Sequence, residues 1–180
     1  VMDCLKNFSP DVQIYSIDEA FIDLTGTRKL YGMNYTNICK MIRRTIKEQT
    51  DIDVSIGISH SKTLSKLASD KAKNTGGIYT IGAFRIKDEL KKTDISEVWG
   101  VGCQINKFCL RWGILNAWDF VSRPDAWLKS ELGKNGLELK YELLGDCISP
   151  VESKKEPPKS IQKTSAIGGF TSDINIIKSE

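Results

Sequence analysis

An α+β fold is predicted for this chain, in which helices pack on a mostly antiparallel sheet up to about residue 83 and an all-helical unit follows. Three observations predict it. Two short apolar runs meet at an acidic pair, Gln13–Ile17 and Ala20–Thr25 around Asp18 and Glu19. Amphipathic helical patterns then alternate with short strand-like runs as far as Ile81. Beyond Gly82 the strand-like runs stop, and helical spacing dominates to about residue 148.

Taken in order, Val1–Pro10 is a short apolar-polar mixture ending in a Ser-Pro turn signal. Gln13–Ile17 and Ala20–Thr25 are rich in β-branched and aromatic residues and read as two strands of a hairpin. Residues 34–49 carry Ile38, Met41, Ile42 and Ile46 at helical spacing, with Lys40, Arg43, Arg44 and Lys47 elsewhere. That is a helix with one buried stripe. Asp51–Ser59 alternates and reads as a strand, and Gly57 within it predicts a close backbone approach. Ser59 is the expected N-cap of a helix over His60–Lys73. On that helix Lys62, Lys66 and Lys73 fall within roughly 40° of one another. A solvated face is one reading of them; phosphate neutralisation is the other. Asn74–Gly77 stops the helix, and Ile78–Ile81 is a short strand.

Ile86–Lys92 reads as a short helix. A short apolar helix then reaches Gly100-Val101-Gly102, and a second follows at once with Ile105, Phe108, Cys109 and Trp112 in step, stopped by Gly113. This is a helix-hairpin-helix pattern. Its glycines allow a tight turn with exposed N–H groups at a helix N-terminus, which suits an anion, and such a hairpin grips nucleic-acid phosphate without reading bases. The alternative is an ordinary αα-hairpin. Short helices continue to Leu144, with Trp118, Phe120, Val121, Trp127 and Leu128 as core residues. Residues 149–158, with Pro150, Pro157 and Pro158, read as a linker, and 159–180 as the start of another domain.

Composition sets limits. The chain has 180 residues, 40% of them hydrophobic, so disorder is not expected. A net charge of +3 is too small to argue nucleic-acid binding by itself. The five cysteines form no Cys-x-x-Cys pair, which predicts free thiols rather than a zinc cluster. The single histidine, His60, has no visible catalytic partner. No apolar run approaches membrane-spanning length, and a cytoplasmic protein is expected.

Asp18 and Glu19 carry the chemistry. Like charges this close disfavour joint ionisation, and a hard cation such as Mg²⁺, which takes oxygen ligands, removes that penalty. Strand neighbours point to opposite faces, so the two can converge on one ion only at a turn or bulge. The alternative is a solvated acidic hairpin tip.

Several blocks resemble the Y family of translesion DNA polymerases. Ser16-Ile17-Asp18-Glu19-Ala20-Phe21 is similar to its catalytic hairpin. Gly57–Ser69 and Ala72-Lys73-Asn74-Thr75-Gly76-Gly77 resemble the palm block that follows. Val98–Gly102 resembles the thumb's helix-hairpin-helix. Trp99, Leu143–Ile148 and Glu156–Lys159 look most like the bacterial UmuC-like branch. The resemblance implies a partial palm over 1–83, a helical thumb over 84–148, a linker over 149–158 and the start of a little finger over 159–180. It implies metal-dependent nucleotidyl transfer in DNA damage tolerance and the SOS response. Asp18 and Glu19 would be catalytic and hold Mg²⁺, and Lys73 would meet the deoxynucleoside triphosphate. Gly100, Val101, Gly102 and Lys107 would hold the primer-template DNA, which is damaged DNA in this family. A sliding clamp and a UmuD-like subunit are the implied partners. The family's first metal-binding Asp lies in an N-terminal strand that precedes the hairpin, and no such strand precedes it here. A two-metal site needs ligands for both ions, so the chain as given is expected to be a poor or inactive polymerase. The rival reading is a non-catalytic helix-hairpin-helix DNA-binding module.

Overall fold

A computed structural model describes residues 1–153. The predicted little-finger start at 159–180 and the linker residues 154–158 lie outside the described residues. Elements run in the order α1 (Met2–Lys6), β1 (Val12–Ile14), β2 (Ala20–Ile22), α2 (Thr27–Tyr31), α3 (Tyr35–Thr50), β3 (Ile56–Ile58), α4 (Lys62–Ala72), β4 (Ile78–Thr80), α5 (Ile86–Lys92), α6 (Cys103–Arg111), α7 (Ala117–Val121) and α8 (Asp125–Leu144).

The mixed class is as predicted, but the sheet is not mostly antiparallel. β1 and β2 form an antiparallel hairpin, whereas β3 and β4 pair in parallel as a separate two-stranded sheet. The reason lies in the connection: parallel neighbours need a crossover, and α4 supplies it. The strand expected over Asp51–Ser59 is only Ile56–Ile58. Its first residue, Asp51, is instead the left-handed C-cap of α3 (φ 55°), with its N–H donating to Lys47 O. Val1–Pro10 contains a helix, α1, that is too short to show periodicity.

Helix α4 starts two residues later than expected. Ser61, not Ser59, is the N-cap, its hydroxyl accepting from Leu64 N–H, while Ser59 Oγ donates to Ile81 O across the sheet. Gly57 does sit at a close approach. A Cβ there would lie 2.1 Å from Ser65 O and 2.2 Å from Ser69 N, so β3 lies against the backbone of α4.

Buried apolar side chains form two clusters. Cys4, Leu5, Phe8, Val12, Ile38, Ile42 and Ile46 pack α1 and β1 against α3. Leu64, Leu67 and Ala68 of α4 join Ile81, Leu90, Ile114, Phe120, Leu128 and Leu143 in the other. The helix nearest the acidic loop therefore shares a core with the later helices. Glu142 of α8 reinforces the join: its buried carboxylate accepts from Thr63 N–H at 3.1 Å and from Ile148 and Ser149 N–H at 2.9 Å. Placed at the first turn of α4, it also faces the positive end of that helix dipole. α8 is interrupted at Gly133 (φ 67°, ψ −157°). All five cysteines are free. Among the described residues, no helix is long and apolar enough to cross a membrane.

Candidate functional site

The β1–β2 register pairs Val12 with Ile22, Gln13 with Phe21 and Ile14 with Ala20, leaving Tyr15–Glu19 as the connection. Tyr15 N–H and Ser16 N–H both donate to Glu19 O, at 2.9 and 3.1 Å, which closes the loop on itself. Ile17 stands at its tip, 98% exposed. Asp18 and Glu19 thus lie outside regular strand alternation, as joint use of their carboxylates requires. Asp18 is exposed, and its Oδ1 accepts from Ser16 Oγ at 2.7 Å. Glu19 is half-buried, and its carboxylate meets Lys66 Nζ at 2.9 Å.

Lys66 brings α4 to the loop. Its ammonium also contacts Asp70, at 3.2 Å, and Asp70 accepts from Lys73 Nζ at 2.7 Å. The residues are spaced i, i+4, i+7 along one helix face. Burial works against the charge of Lys66, but hydrogen bonds to Glu19 and Asp70 outweigh it and hold the ammonium above the usual lysine range. Burial likewise opposes the Asp70 charge, and hydrogen bonds from Lys73 and Lys66 hold its carboxyl below the usual range. Lys73 is exposed at the C-cap of α4.

Lys62 departs from the predicted lysine face. It is buried, donates to Gln13 Oε1 and Ser149 Oγ, and lies over the Phe21 ring, 5.6 Å from its centroid. Burial pushes its ammonium below the usual range, with Glu152 and Glu142 offsetting only part of the effect. Gln13 also accepts from Glu152 N–H, so residues 149–152 strap across the hairpin at this point.

The Gly100 segment reaches the same hairpin. Trp99 packs edge-on against Tyr15 at 5.2 Å and tilted against Phe21 at 5.7 Å between centroids. The apolar helix expected before Gly100 is a single 3-10 turn, Ile95–Glu97, because Val98 is already extended. Gly100 takes φ +94°, a left-handed conformation that its lack of a Cβ permits. Val101 is buried, whereas Gly100 and Gly102 are exposed, and Gly102 opens α6 without any side-chain cap. Lys107 is exposed further along that helix.

Two features outside this cluster are structural. Asp23 accepts from Thr25 N–H at 2.7 Å and shapes the turn after β2. A groove of about 480 Å³ beside α3 is lined by Lys40, Arg43, Arg44 and Lys47. It is no second anion site, because Asp51, Asp53 and Glu48 already pair with three of those cations.

Residues 1–70 match the impB/mucB/samB family. DNA polymerase IV of Alkaliphilus oremlandii is 34% identical over 179 residues, which is 99% of this chain and 44% of that protein. Protein UmuC of Salmonella typhimurium is 38% identical over 133 residues, 71% of this chain and 31% of that protein. Among solved structures, an insertion ternary complex of Dbh DNA polymerase superposes with a TM-score of 0.69 at 30% identity, covering 84% of this chain and 44% of that one. DinB from Sulfolobus solfataricus gives 0.67 at 28%, with the same two coverages. The chain resembles the Y-family DNA polymerases in sequence and in fold. Relatives of both the DNA polymerase IV and the UmuC kind are among its matches, and the chain spans less than half the length of either relative described above. A module that only binds DNA, the rival reading of the sequence, is not favoured by relatives named as polymerases.

Y-family polymerases are metal-dependent nucleotidyltransferases. The donor set suits one hard cation: two adjacent carboxylates, one open to solvent and the other already held by an ammonium. Among the described residues no group of three His, Cys, Asp or Glu converges, so they do not by themselves supply a two-ion site.

Proposed function

We propose that this chain supplies palm and thumb functions to an error-prone translesion DNA polymerase of the UmuC-like kind, acting in the cytoplasm on damaged primer-template DNA. Residues 1–83 are the palm, 84–148 the thumb, 149–158 the linker and 159–180 the beginning of the little finger. Asp18 and Glu19 hold Mg²⁺. When bound there, the ion lowers the pKa of the attacking primer 3′ hydroxyl and neutralises charge on the transferred nucleotide. Lys73, solvated at the end of α4, neutralises the triphosphate. Gly100–Gly102 and Lys107, on the helix-hairpin-helix segment, take the DNA backbone through main-chain N–H groups and one ammonium. A sliding clamp and a UmuD-like subunit are the partners of such a protein.

The observation that carries this reading is the 2.9 Å contact between Lys66 and Glu19, because it sets the basic face of α4 against the acidic loop. Trp99 packs the Gly100 segment against Tyr15 of the same hairpin. Cation, phosphate and template sites then border one small structure.

Binding of a fluorescent deoxynucleoside triphosphate tests it. Binding should require Mg²⁺, and Asp18→Ala and Lys73→Ala should each weaken it by about tenfold or more, one lost charge-assisted contact. Affinity for primer-template DNA, read by fluorescence anisotropy, should stay within about twofold for Asp18→Ala. Nucleotide binding indifferent to both Mg²⁺ and Asp18 refutes the assignment. Primer extension by the 180-residue chain should be weak or absent, and robust template-directed synthesis overturns the view that the described residues offer too few carboxylates.

A further inference from the structure

Glu19 is not a free carboxylate. Lys66 Nζ occupies it at 2.9 Å, and the lysine side chain is only 20% exposed. A divalent cation that takes Glu19 Oε1 competes with that ammonium, and a partly buried ammonium left without a partner is costly. Asp70 lies within 3.2 Å of the same Nζ, one turn along α4.

We propose that Asp70 is a positioning residue for the cation site: it offers Lys66 a second carboxylate, so that a divalent cation can replace Lys66 at Glu19 without stranding its charge. The inference rests on the reading of Asp18 and Glu19 as a cation site. The charges of the four side chains make the exchange useful. Glu19, Lys66, Asp70 and Lys73 sum to zero when no cation is bound. Lys66, Asp70 and Lys73 alone carry one net positive charge, which Glu19 neutralises until a cation takes it. Cation binding then leaves that charge uncompensated beside Lys73, where the phosphates are proposed to lie. Cation binding and phosphate binding thereby favour each other.

The experiment is a Mn²⁺ titration of the whole chain, followed by the electron paramagnetic resonance signal of free Mn²⁺. Lys66→Met keeps most of the side chain's length and removes the competitor, and should tighten binding about fivefold. Asp70→Asn keeps the shape and removes the second carboxylate, and should weaken binding by about the same factor, the range of one partly exposed ion pair. In the Lys66→Met background Asp70→Asn should change affinity less than about twofold, because Asp70 acts through Lys66. Lys66→Arg restores a competitor and should return affinity towards that of the unaltered chain. Thermal midpoints within a few degrees of one another show that the variants are folded. Unchanged affinity in Lys66→Met overturns the inference, as does an Asp70→Asn effect that persists in full without Lys66, which would be simple loss of a nearby negative charge. If Asp18→Ala leaves Mn²⁺ affinity unchanged, the cation reading itself falls and the inference with it.

Discussion

Gly57→Ala concentrates the dependence of the site on the fold into one methyl group. The added Cβ would stand 2.1 Å from Ser65 O, 2.2 Å from Ser69 N and 2.8 Å from Ala68 C. Ordinary contact begins at 3.4 Å, so the shortfall at the carbonyl exceeds 1 Å. All three atoms are backbone within α4, so no rotamer change relieves the overlap. Either β3 or the whole of α4 must move. Overpacking that side chains partly absorb costs about 1–3 kcal/mol, and a rigid contact belongs at or above the upper end. About 3 kcal/mol lowers the melting temperature of a chain this size by about 6–12 °C. Circular dichroism melts of the two proteins read that shift. The displacement also carries Lys66 away from Glu19, so Mn²⁺ affinity should change even at temperatures where the variant is folded. A melting temperature within about 2 °C of the unaltered protein, with unchanged Mn²⁺ affinity, refutes the argument that β3 fixes where α4 stands.

Three further outcomes follow from named contacts. Glu89 is buried and accepts from Lys71 Nζ, Tyr79 OH and Arg85 Nη2; burial pushes its pKa up, but these partners outweigh it and hold the carboxyl below the usual range. Its stabilisation is therefore complete above the unfolded pKa, about 4.3, and is lost as pH falls through the lower folded value. Glu89→Gln should cost about 2–3 kcal/mol at pH 7, less than a fully buried pair because Lys71 and Arg85 reach solvent, and should flatten the fall in melting temperature below about pH 4. Glu142→Ala strands the N–H groups of Thr63, Ile148 and Ser149 and should cost about 3 kcal/mol, with limited proteolysis cutting sooner between 148 and 153. Trp99→Ala and Tyr15→Ala should couple by about 0.5–1.5 kcal/mol in a double-mutant cycle of urea melts, and additive losses would show that the aromatic contact does not join the two segments.

What the sequence disclosed follows from how local each signal is. The hairpin, α3 and α5 were legible because their patterns are complete within a few turns or one strand pair. Gly57 was legible for the opposite reason: a glycine inside an alternating run leaves only a close approach to explain it. The parallel pairing of β3 and β4 was not legible, since three-residue strands record which residues are apolar but not the direction of a neighbour. Lys62 shows the limit of the helical wheel. Spacing groups it with Lys66 and Lys73, yet its partners Gln13 and Ser149 lie 49 and 87 residues away, and they decide that it is buried. Asp70 carried a readable signal that the charge count along α4 hid: a lysine four residues before it and another three after.

The acidic loop has little support of its own, and this explains why the site draws on so much of the chain. Within Tyr15–Glu19 only main-chain bonds to Glu19 O and one serine hydroxyl hold the connection, and Ile17 at its tip buries almost nothing. Its other restraints come from far along the sequence. Lys66 holds Glu19 from α4, Trp99 braces Tyr15 from the Gly100 segment, and Gln13 beneath is gripped by Lys62 and by Glu152 N–H. Lys66 is placed by the packing of α4 on β3, and Lys62 by that helix's N-terminus, which Glu142 anchors from α8. A change deep in the helical unit therefore has three routes to the acidic loop: α4, Trp99 and residues 149–152. Glu142→Ala tests the order of events: as temperature rises, Mn²⁺ affinity should fall before helical circular dichroism does, and simultaneous loss would mean that the loop and α4 unfold only with the whole protein.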